Sequence, residues 1–314
     1  MNTSDTSDKT PSRRRVLAWG AGTGAGAALA LGPATSASAY AATPGGGGAP
    51  LARELAALER RHSARLGVYA HDTATGRSVR YRATERFPLC SVFKTLAVAA
   101  VLRDLDRDGD FLAQRIRYTR KDVTDSGYAP ITGTPENLAA GMTVEDLCAA
   151  AIRYSDNAAA NLLLRELGGP AAVTRFCRSI GDATTRLDRW EPELNSAEPW
   201  RTTDMTSPLA IGQSYARLAL GDALPARQRE RLTGWLLANT TGAAKLRAGL
   251  PSDWTVADKT GSGAYGTSHD VGLVRPPHRP PLVMAVLTTK HEPAAPADSA
   301  LIAETATLLA AALG

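Results

Sequence analysis

The distribution of strand-like and helix-like segments along the chain most constrains its fold. Runs rich in Val, Tyr, Thr and Leu that fit strands occur near both ends, and they flank glycine or proline turns. The predicted strands span residues 66–71, 78–82, 254–259, 269–275 and 281–289. Because the first two form a hairpin about Gly76 and the other three lie far downstream, we expect the two ends of the chain to share one sheet.

The intervening chain favours helices, because its apolar residues recur at helical spacing. A first helix is predicted over 51–66 and a closing helix over 298–311. Four helices are predicted between them, at 92–105, 144–152, 157–167 and 208–220. The pattern predicts an α/β (α+β) fold with two parts. Residues 50–85 and 246–314 form an α/β domain, residues 86–245 form an inserted all-α domain, and a small-ligand site lies in the cleft between them.

The first 39 residues predict an export signal rather than part of the fold. Three arginines at 13–15 precede an apolar run over 18–31, as in twin-arginine signals, and small residues around Ala39 and Ala41 suit signal peptidase. The run is short and rich in glycine, so we expect no stable membrane anchor. We expect a secreted, extracytoplasmic protein cleaved near Ala39 or Ala41, with residues 40–49 as a flexible lead.

Composition allows a sizeable core in one or two domains, since 44% of the 314 residues are apolar. The formal charge is +5, but no basic block with interleaved aromatics occurs, so a nucleic-acid partner is not expected. The chain has an odd number of cysteines, Cys90, Cys148 and Cys177, and no two of them have C-x-x-C spacing. The histidines lack the spacing of metal ligands. We expect no metal, no cofactor and a monomer. Twin-arginine substrates fold before export, which implies three free thiols.

A serine and a lysine three residues apart, Ser91 and Lys94, form the first chemical motif. If Ser91 opens a helix, both side chains lie on one face. A serine hydroxyl needs a base to become a nucleophile, and burial or neighbouring cations make a lysine basic enough by lowering its pKa. The apolar run that follows, from Leu96 to Leu102, favours burial. The N–H groups at the start of such a helix also suit an oxyanion.

Two further motifs follow in order, Ser155-Asp156-Asn157 and Lys259-Thr260-Gly261, and Glu191 lies between them. The ordered set resembles a class A serine β-lactamase over roughly residues 50–314. The resemblance implies a serine β-lactamase and transpeptidase-like fold, with an antiparallel five-stranded sheet and the active site in the interdomain cleft. Abundant Ala, Arg and Gly also resemble actinobacterial proteins.

The resemblance assigns roles to the residues of these motifs. Ser155 relays a proton to the leaving nitrogen, and Asn157 binds the substrate amide. Lys259 and Thr260 lie at the substrate carboxylate, and the backbone N–H of Ser262 completes the oxyanion hole that the N–H of Ser91 begins. A competing interpretation from the sequence is that the second motif only caps a loop, with Asp156 as the helix N-cap.

Hydrolysis needs a part that the related transpeptidases lack. Glu191 and Asn195 match the family's loop that holds a deacylating water, and a carboxylate is suited to act as its general base. Arg189 and Asp204 are expected to close this loop with an ion pair. Whether Lys94 or Glu191 is the acylation base stays open, and the loop can alternatively be an ordinary surface loop with incidental acids.

Two further substrate-facing residues are predicted, of which the first matches the family pattern and the second departs from it. Tyr128 matches an aromatic wall of the entrance, although a lone tyrosine can equally pack on the surface. Many members bind the substrate carboxylate through an arginine near Ser268 and His269, which this chain lacks. Lys245 aligns with an alternative arginine, and it offers a point charge without a bidentate fork.

The sequence therefore predicts an exported class A β-lactamase that hydrolyses penicillin-type and cephalosporin-type antibiotics through an ester on Ser91. Two alternatives remain. A penicillin-binding transpeptidase, carboxypeptidase or β-lactam sensor acylates without turnover, and Glu191 with Asn195 argues against it. A silent wall-binding protein on the same fold lacks a motif, whereas here the set is complete.

Overall fold

The computed structural model describes residues 48–314. The predicted export signal, and all but the last two residues of the predicted lead over 40–49, lie outside this range. Within it, the strands are β1 Arg65–Asp72, β2 Ser78–Tyr81, β3 Phe87–Pro88, β4 Arg115–Ile116, β5 Met142–Thr143, β6 Met205–Thr206, β7 Thr255–Ser262, β8 Ser268–Arg275 and β9 Leu282–Thr289.

Helices form most of the remaining structure. They are α1 Gly48–Arg61, α2 Phe93–Ala100, α3 Asp110–Ala113, α4 Arg120–Ser126, α5 Pro135–Ala140, α6 Val144–Arg153, α7 Asn157–Glu166, α8 Ala171–Ser179, α9 Pro208–Ala219, α10 Ala226–Leu237, α11 Leu246–Gly249 and α12 Ser299–Leu313. Short 3₁₀ turns occur at Cys90–Val92 and Glu193–Ser196, and a π-helical turn at Val101–Leu105 extends α2. In the described range, no helix is long and apolar enough to cross a bilayer.

The five long strands form one antiparallel sheet in the order β2-β1-β9-β8-β7. Both ends of the chain contribute to it, so the predicted fold class and the shared sheet are confirmed. The sequence predicted every long strand, and the ends differ by a few residues. Short strands were not predicted: β3 pairs with β6 and β4 pairs with β5 within the segment expected to be all helical.

The sheet is buried on both faces because its central strands alternate between two apolar layers. In β9, Val283, Ala285 and Leu287 pack with the helices of the middle segment, whereas Met284 and Val286 pack with α1 and α12. Each large aliphatic side chain buried in this way contributes about 1.5–3 kcal/mol. The sheet is thereby fixed as a rigid base for the residues that project from its β7 edge.

The middle segment does not separate cleanly from the sheet. Helix α9, which the sequence analysis assigned to the inserted part, packs directly against β1, β8 and β9. Tyr69 of β1 lies so close to α9 that a Cβ at Gly212 would be 2.5 Å from the Tyr69 ring. The division into two domains stays a prediction.

Candidate active site

The nucleophile candidate lies at a sharp turn rather than inside a regular helix. Ser91 belongs to the 3₁₀ turn Cys90–Val92, and α2 begins only at Phe93. Cys90 has a left-handed backbone conformation with a φ of 43°, which is costly for a residue other than glycine and is held by its surroundings. Ser91 is 7% exposed, and its hydroxyl donates to Glu191 Oε1 over 3.2 Å.

Lys94 lies in the first turn of α2 and is fully buried among oxygen atoms. Its Nζ donates to Ser155 O at 2.7 Å and Asn157 Oδ1 at 2.6 Å, and lies 3.0 Å from Glu191 Oε1. Burial lowers the pKa of Lys94, while Glu191 and Asp156 partly restore it. The prediction of a lowered pKa therefore rests on burial, because the contacts of Nζ are acceptors.

The Ser155-Asp156-Asn157 turn combines the structural and the chemical interpretation. Asp156 is fully buried, caps α7 by accepting from Ala159 N at 2.9 Å, and accepts from Thr132 N and Oγ1. Ser155 has a φ of 58°, so the turn is sharp, and its hydroxyl points to the lysines of the site. Asp156 thus holds the turn, and its two neighbours are left for chemistry.

Lys259 extends from β7 to the same hydroxyl. Its Nζ donates to Ser155 Oγ at 2.9 Å and to Thr260 O at 2.8 Å. Burial, together with the positive charges of Lys94 and Lys245, holds the pKa of Lys259 well below its usual value. Because Lys94 Nζ is also 3.4 Å from Ser155 Oγ, this hydroxyl oxygen lies between two lysine side chains.

Glu191 is 2% exposed and is held at both its carboxylate and its backbone. Asn195 donates its amide to Glu191 Oε2. Asn161 of α7 pairs with the Glu191 backbone, accepting from its N–H at 3.0 Å and donating to its carbonyl at 2.8 Å. Asn161 was missed in the sequence, although it lies one helical turn after Asn157 and on the same face of the helix.

The ends of the Glu191 loop meet at Asp204. The guanidinium of Arg189 lies 2.6 Å from Asp204 Oδ2, and Asp204 Oδ1 accepts from the backbone N–H groups of Asp188 and Arg189. Arg189 also donates to Ser196 Oγ at 2.8 Å. Since Asp204 is 1% exposed, these hydrogen-bond donors take the place of water around its carboxylate, and they close the loop.

Strand β7 approaches the nucleophile turn closely because it carries glycines there. A Cβ at Gly261 would lie 3.3 Å from the side chains of Cys90 and Val92, and a Cβ at Gly263 would lie 2.9 Å from Cys90 Sγ. The Cys90 side chain therefore packs behind Ser91, between the nucleophile turn and the end of β7. Ser262, between these glycines, is exposed at the end of β7.

Lys245 lies beneath the end of β7 and is 6% exposed. Its Nζ donates to His269 O at 3.1 Å and to Gly261 O at 3.4 Å, and burial lowers its pKa. Thr260, the neighbour of Gly261, is 5% exposed and shares a hydroxyl hydrogen bond of 2.5 Å with Thr241. The structure therefore groups Lys245 with the Lys259-Thr260-Gly261 segment.

Comparison with known proteins identifies the family. Residues 50–313 match the protein family described as "Beta-lactamase enzyme family". Curated β-lactamases of Streptomyces lavendulae and Streptomyces fradiae are 68% and 61% identical to the chain, each over 98% of it and 99% of their own length. The chain belongs to the beta-lactamase enzyme family. The solved β-lactamase from Streptomyces albus G, 63% identical, superposes with a TM-score of 0.84 over 84% of this chain and 100% of that one.

The family resemblance inferred from the motifs is therefore confirmed, and so is the enzyme class. This β-lactamase gathers Ser91, Lys94, Ser155, Glu191 and Lys259 into one connected set of short contacts, although up to 168 positions separate them in the sequence. Such a set contains a hydroxyl nucleophile, a carboxylate base and cationic donors, which is the equipment for acyl transfer to and from serine.

Tyr128 occupies the edge of the site rather than its interior. Its side chain is 59% exposed, and its carbonyl accepts from Asn157 N at 2.8 Å. Gly127, beside it, is close to the Glu191 loop, since a Cβ there would be 3.8 Å from Pro192 Cβ. The side chain is exposed beside the Glu191 loop, and its role as a wall of the entrance stays a prediction.

Proposed function

We propose that this β-lactamase opens the β-lactam amide in two steps, through an ester on Ser91 that is hydrolysed by water activated by Glu191. One observation supports this most directly. The buried Glu191 Oε1 lies 3.2 Å from the Ser91 hydroxyl and 3.0 Å from Lys94 Nζ, so one carboxylate serves the nucleophile and the site of water attack. The outcome is hydrolysis of β-lactam antibiotics and resistance to them.

In the first step, Ser91 Oγ attacks the lactam carbonyl carbon and its proton passes to a base of the site. Glu191 already accepts the hydrogen bond of that hydroxyl, and Lys94 is the second base within the contact set. The developing oxyanion is taken by the backbone N–H groups of Ser91 and Ser262. The C–N bond then breaks, and the ring nitrogen must receive a proton.

Ser155 is suited to supply that proton. Its oxygen lies 2.9 Å from Lys259 Nζ and 3.4 Å from Lys94 Nζ, so an alkoxide formed there is stabilised at once by neighbouring positive charge. Ser155 then regains a proton through Lys94, and this proton is the one that Ser91 lost. The first step therefore needs no net proton from solvent.

Substrate binding uses the two sides of the cleft. Lys259, Thr260 and Lys245 attract the substrate carboxylate, whereas Asn157 and Asn195 hold the side-chain amide on the opposite side. Tyr128 forms part of the rim. Lys245 presents a single charge, which attracts a carboxylate without the geometric selection of an arginine fork.

In the second step, Glu191 takes a proton from a water molecule as its oxygen attacks the Ser91 ester. The ester C–O bond breaks, and the proton returns to Ser91 Oγ. General-base assistance of this kind contributes typically ~10²–10⁴-fold. Asn195 and Asn161 keep the Glu191 carboxylate at a fixed depth, because Asn195 binds its Oε2 and Asn161 binds the Glu191 backbone.

Export by the twin-arginine route is part of the proposal and rests on the sequence alone. The arginines at 13–15 and the apolar run over 18–31 support it, and they lie outside the described residues. Secretion would bring the enzyme to the antibiotic before the antibiotic reaches the cell wall.

The experiment is time-resolved intact mass of residues 40–314 with excess benzylpenicillin, sampled until the antibiotic is consumed. We expect a transient adduct on Ser91 and return to the unmodified mass as the antibiotic disappears. A persistent adduct would instead support a β-lactam receptor or transpeptidase. Consumption without any adduct in a Ser91→Ala control that remains active would reject the ester mechanism.

A further inference from the structure

Two carboxyl groups lie buried beneath the Lys259-Thr260-Gly261 segment and take no part in the chemistry described so far. Asp258 on β7 and Asp270 on β8 are both fully buried. Two ionised carboxylates at such a depth would be very costly without compensating donors or cations. The protonation of each carboxyl group can therefore be inferred from its partners.

Asp258 is surrounded by donors. Asn239 donates to its Oδ2 at 2.9 Å, and Arg247 donates to its Oδ1 through Nε at 3.0 Å and Nη2 at 2.5 Å. Both guanidinium bonds converge on Oδ1, and such charge-assisted hydrogen bonds are roughly twice as strong as neutral ones. These contacts favour the ionised form of Asp258.

Asp270 has almost none of this support. Its Oδ2 accepts one bond, from Leu246 N at 3.0 Å, and its buried Oδ1 has no hydrogen-bond partner among the described residues. Asp270 and Asp258 lie on the same face of the sheet, because Asp270 pairs with Thr260 and Asp258 pairs with Gly272 on neighbouring strands. Burial together with the charge of Asp258 holds the pKa of Asp270 well above its ordinary value. A proton on Oδ1 turns an orphaned acceptor into a donor and removes the repulsion between two carboxylates.

The neighbouring lysine gives this proton a functional meaning. Lys245 Nζ donates to the carbonyls of His269 and Gly261, and between residues 48 and 314 no carboxylate oxygen lies within 4.0 Å of it. An ionised Asp270 would raise the pKa of Lys245 more than any other charge near it. A neutral Asp270 leaves the lysine without a counter-ion inside the protein.

We propose that Asp270 is a positioning residue that is kept as a neutral carboxylic acid by donating a hydrogen bond to ionised Asp258, so that Lys245 remains free to be neutralised by the substrate carboxylate. The inference rests on the proposed role of Lys245. The proposal gives a function to a pair of buried acids whose burial lowers the free energy of unfolding. Arg247 and Asn239 belong to the device because they fix which acid is ionised.

Matched asparagine substitutions of the two acids distinguish the assignment from its reverse. Asp270→Asn keeps a donor toward Asp258 and no charge, so this conservative variant should retain the KM for benzylpenicillin within about threefold. Asp258→Asn removes the ionised acceptor. Without that negative charge nearby, Asp270 ionises and pairs with Lys245. We expect KM to rise ~10-fold, as for the loss of one charge-assisted contact, and kcat to fall by a smaller factor.

The double variant sharpens the test, since Asp270→Asn in the Asp258→Asn background removes the competing charge and should bring KM back toward the wild-type value. If Asp270→Asn raises KM as much as Asp258→Asn was expected to, Asp270 is the ionised member and the proposal is wrong.

Infrared difference spectroscopy tests the proton itself and does not depend on the role of Lys245. The ligand-free wild-type enzyme should show the carbonyl stretch of a protonated carboxylic acid that is absent from Asp270→Asn. Absence of that band in the wild type would overturn the proposal even if Asp258→Asn fails to fold. An unchanged KM in Lys245→Ala, with the band present, would instead reject the carboxylate-binding role of Lys245 and leave the protonation of Asp270 established.

Discussion

Replacing Glu191 with glutamine separates the two chemical steps. The substitution removes the base whose Oε1 lies 3.2 Å from Ser91 Oγ and 3.0 Å from Lys94 Nζ, while the amide keeps an oxygen for Asn195. Deacylation depends on this base, and we expect it to slow by ~10³-fold, equivalent to ~4 kcal/mol of transition-state stabilisation.

Acylation should survive better, for a reason found in the charges around Lys94. Glu191 raises the pKa of Lys94 through its charge and its hydrogen bond, whereas burial lowers it. Without the carboxylate, the buried amine loses its proton more readily and becomes available to deprotonate Ser91. We expect acylation to fall by only ~10-fold, so that the ester accumulates.

Rapid-quench intact mass with benzylpenicillin measures both rates, with Glu193→Gln as the control, since Glu193 lies exposed in the same loop. In the Glu191→Gln variant the adduct should form within the first turnovers and persist, and the control should behave as wild type. Turnover at the wild-type rate would refute the role of Glu191. Equal slowing of both steps, with no accumulated adduct, would refute the idea that Lys94 replaces Glu191 as the acylation base.

Three further predictions follow from the surroundings of the site. Lys245→Ala should raise KM for benzylpenicillin ~10-fold and lower kcat less, and steady-state kinetics with the methyl ester should show no such change, because the ester lacks the anion. Arg189→Ala leaves the carboxylate of Asp204 buried without its cation, so the free energy of unfolding in urea should fall by about 3 kcal/mol. Burial lowers the pKa of His269 from 6.5 to about 4, so stability is fully present above pH ~6.5 and is lost as the pH falls toward 4, by up to ~3 kcal/mol. His269→Gln should remove that part of the pH dependence of urea unfolding.

Each of these outcomes has a matched control. An unchanged KM for Lys245→Ala, or an equal change with the methyl ester, would reject its contact with the carboxylate. Arg186→Ala, which breaks a more exposed pair with Asp188, should cost well under the loss at Arg189. Parallel pH curves for wild type and His269→Gln would show that His269 does not resist protonation, whereas His291→Gln, at an exposed position, should leave the curve unchanged.

The sequence alone determined the fold class and the family. The long strands and most long helices were predictable because their apolar periodicity is local, as in β9, whose alternate side chains enter the two apolar layers. The motifs were equally local, since Ser91 and Lys94, or Ser155 and Asn157, carry their spacing in consecutive residues. Helices α8 and α10 were not predicted, although the buried residues of α8 recur at helical spacing. The two-residue strands escaped prediction because tertiary contacts decide them.

The tertiary structure decided what surrounds each of these groups. Asn161 holds Glu191, and the groups that contact Lys94 Nζ are accepting oxygens where neighbouring cations were one expectation. Asp270 lies on the same face of the sheet as Asp258. None of this is encoded in residue spacing, because it depends on which side chains meet across the sheet edge and the loop. Protonation follows from burial and partners, and both exist only after the chain has folded.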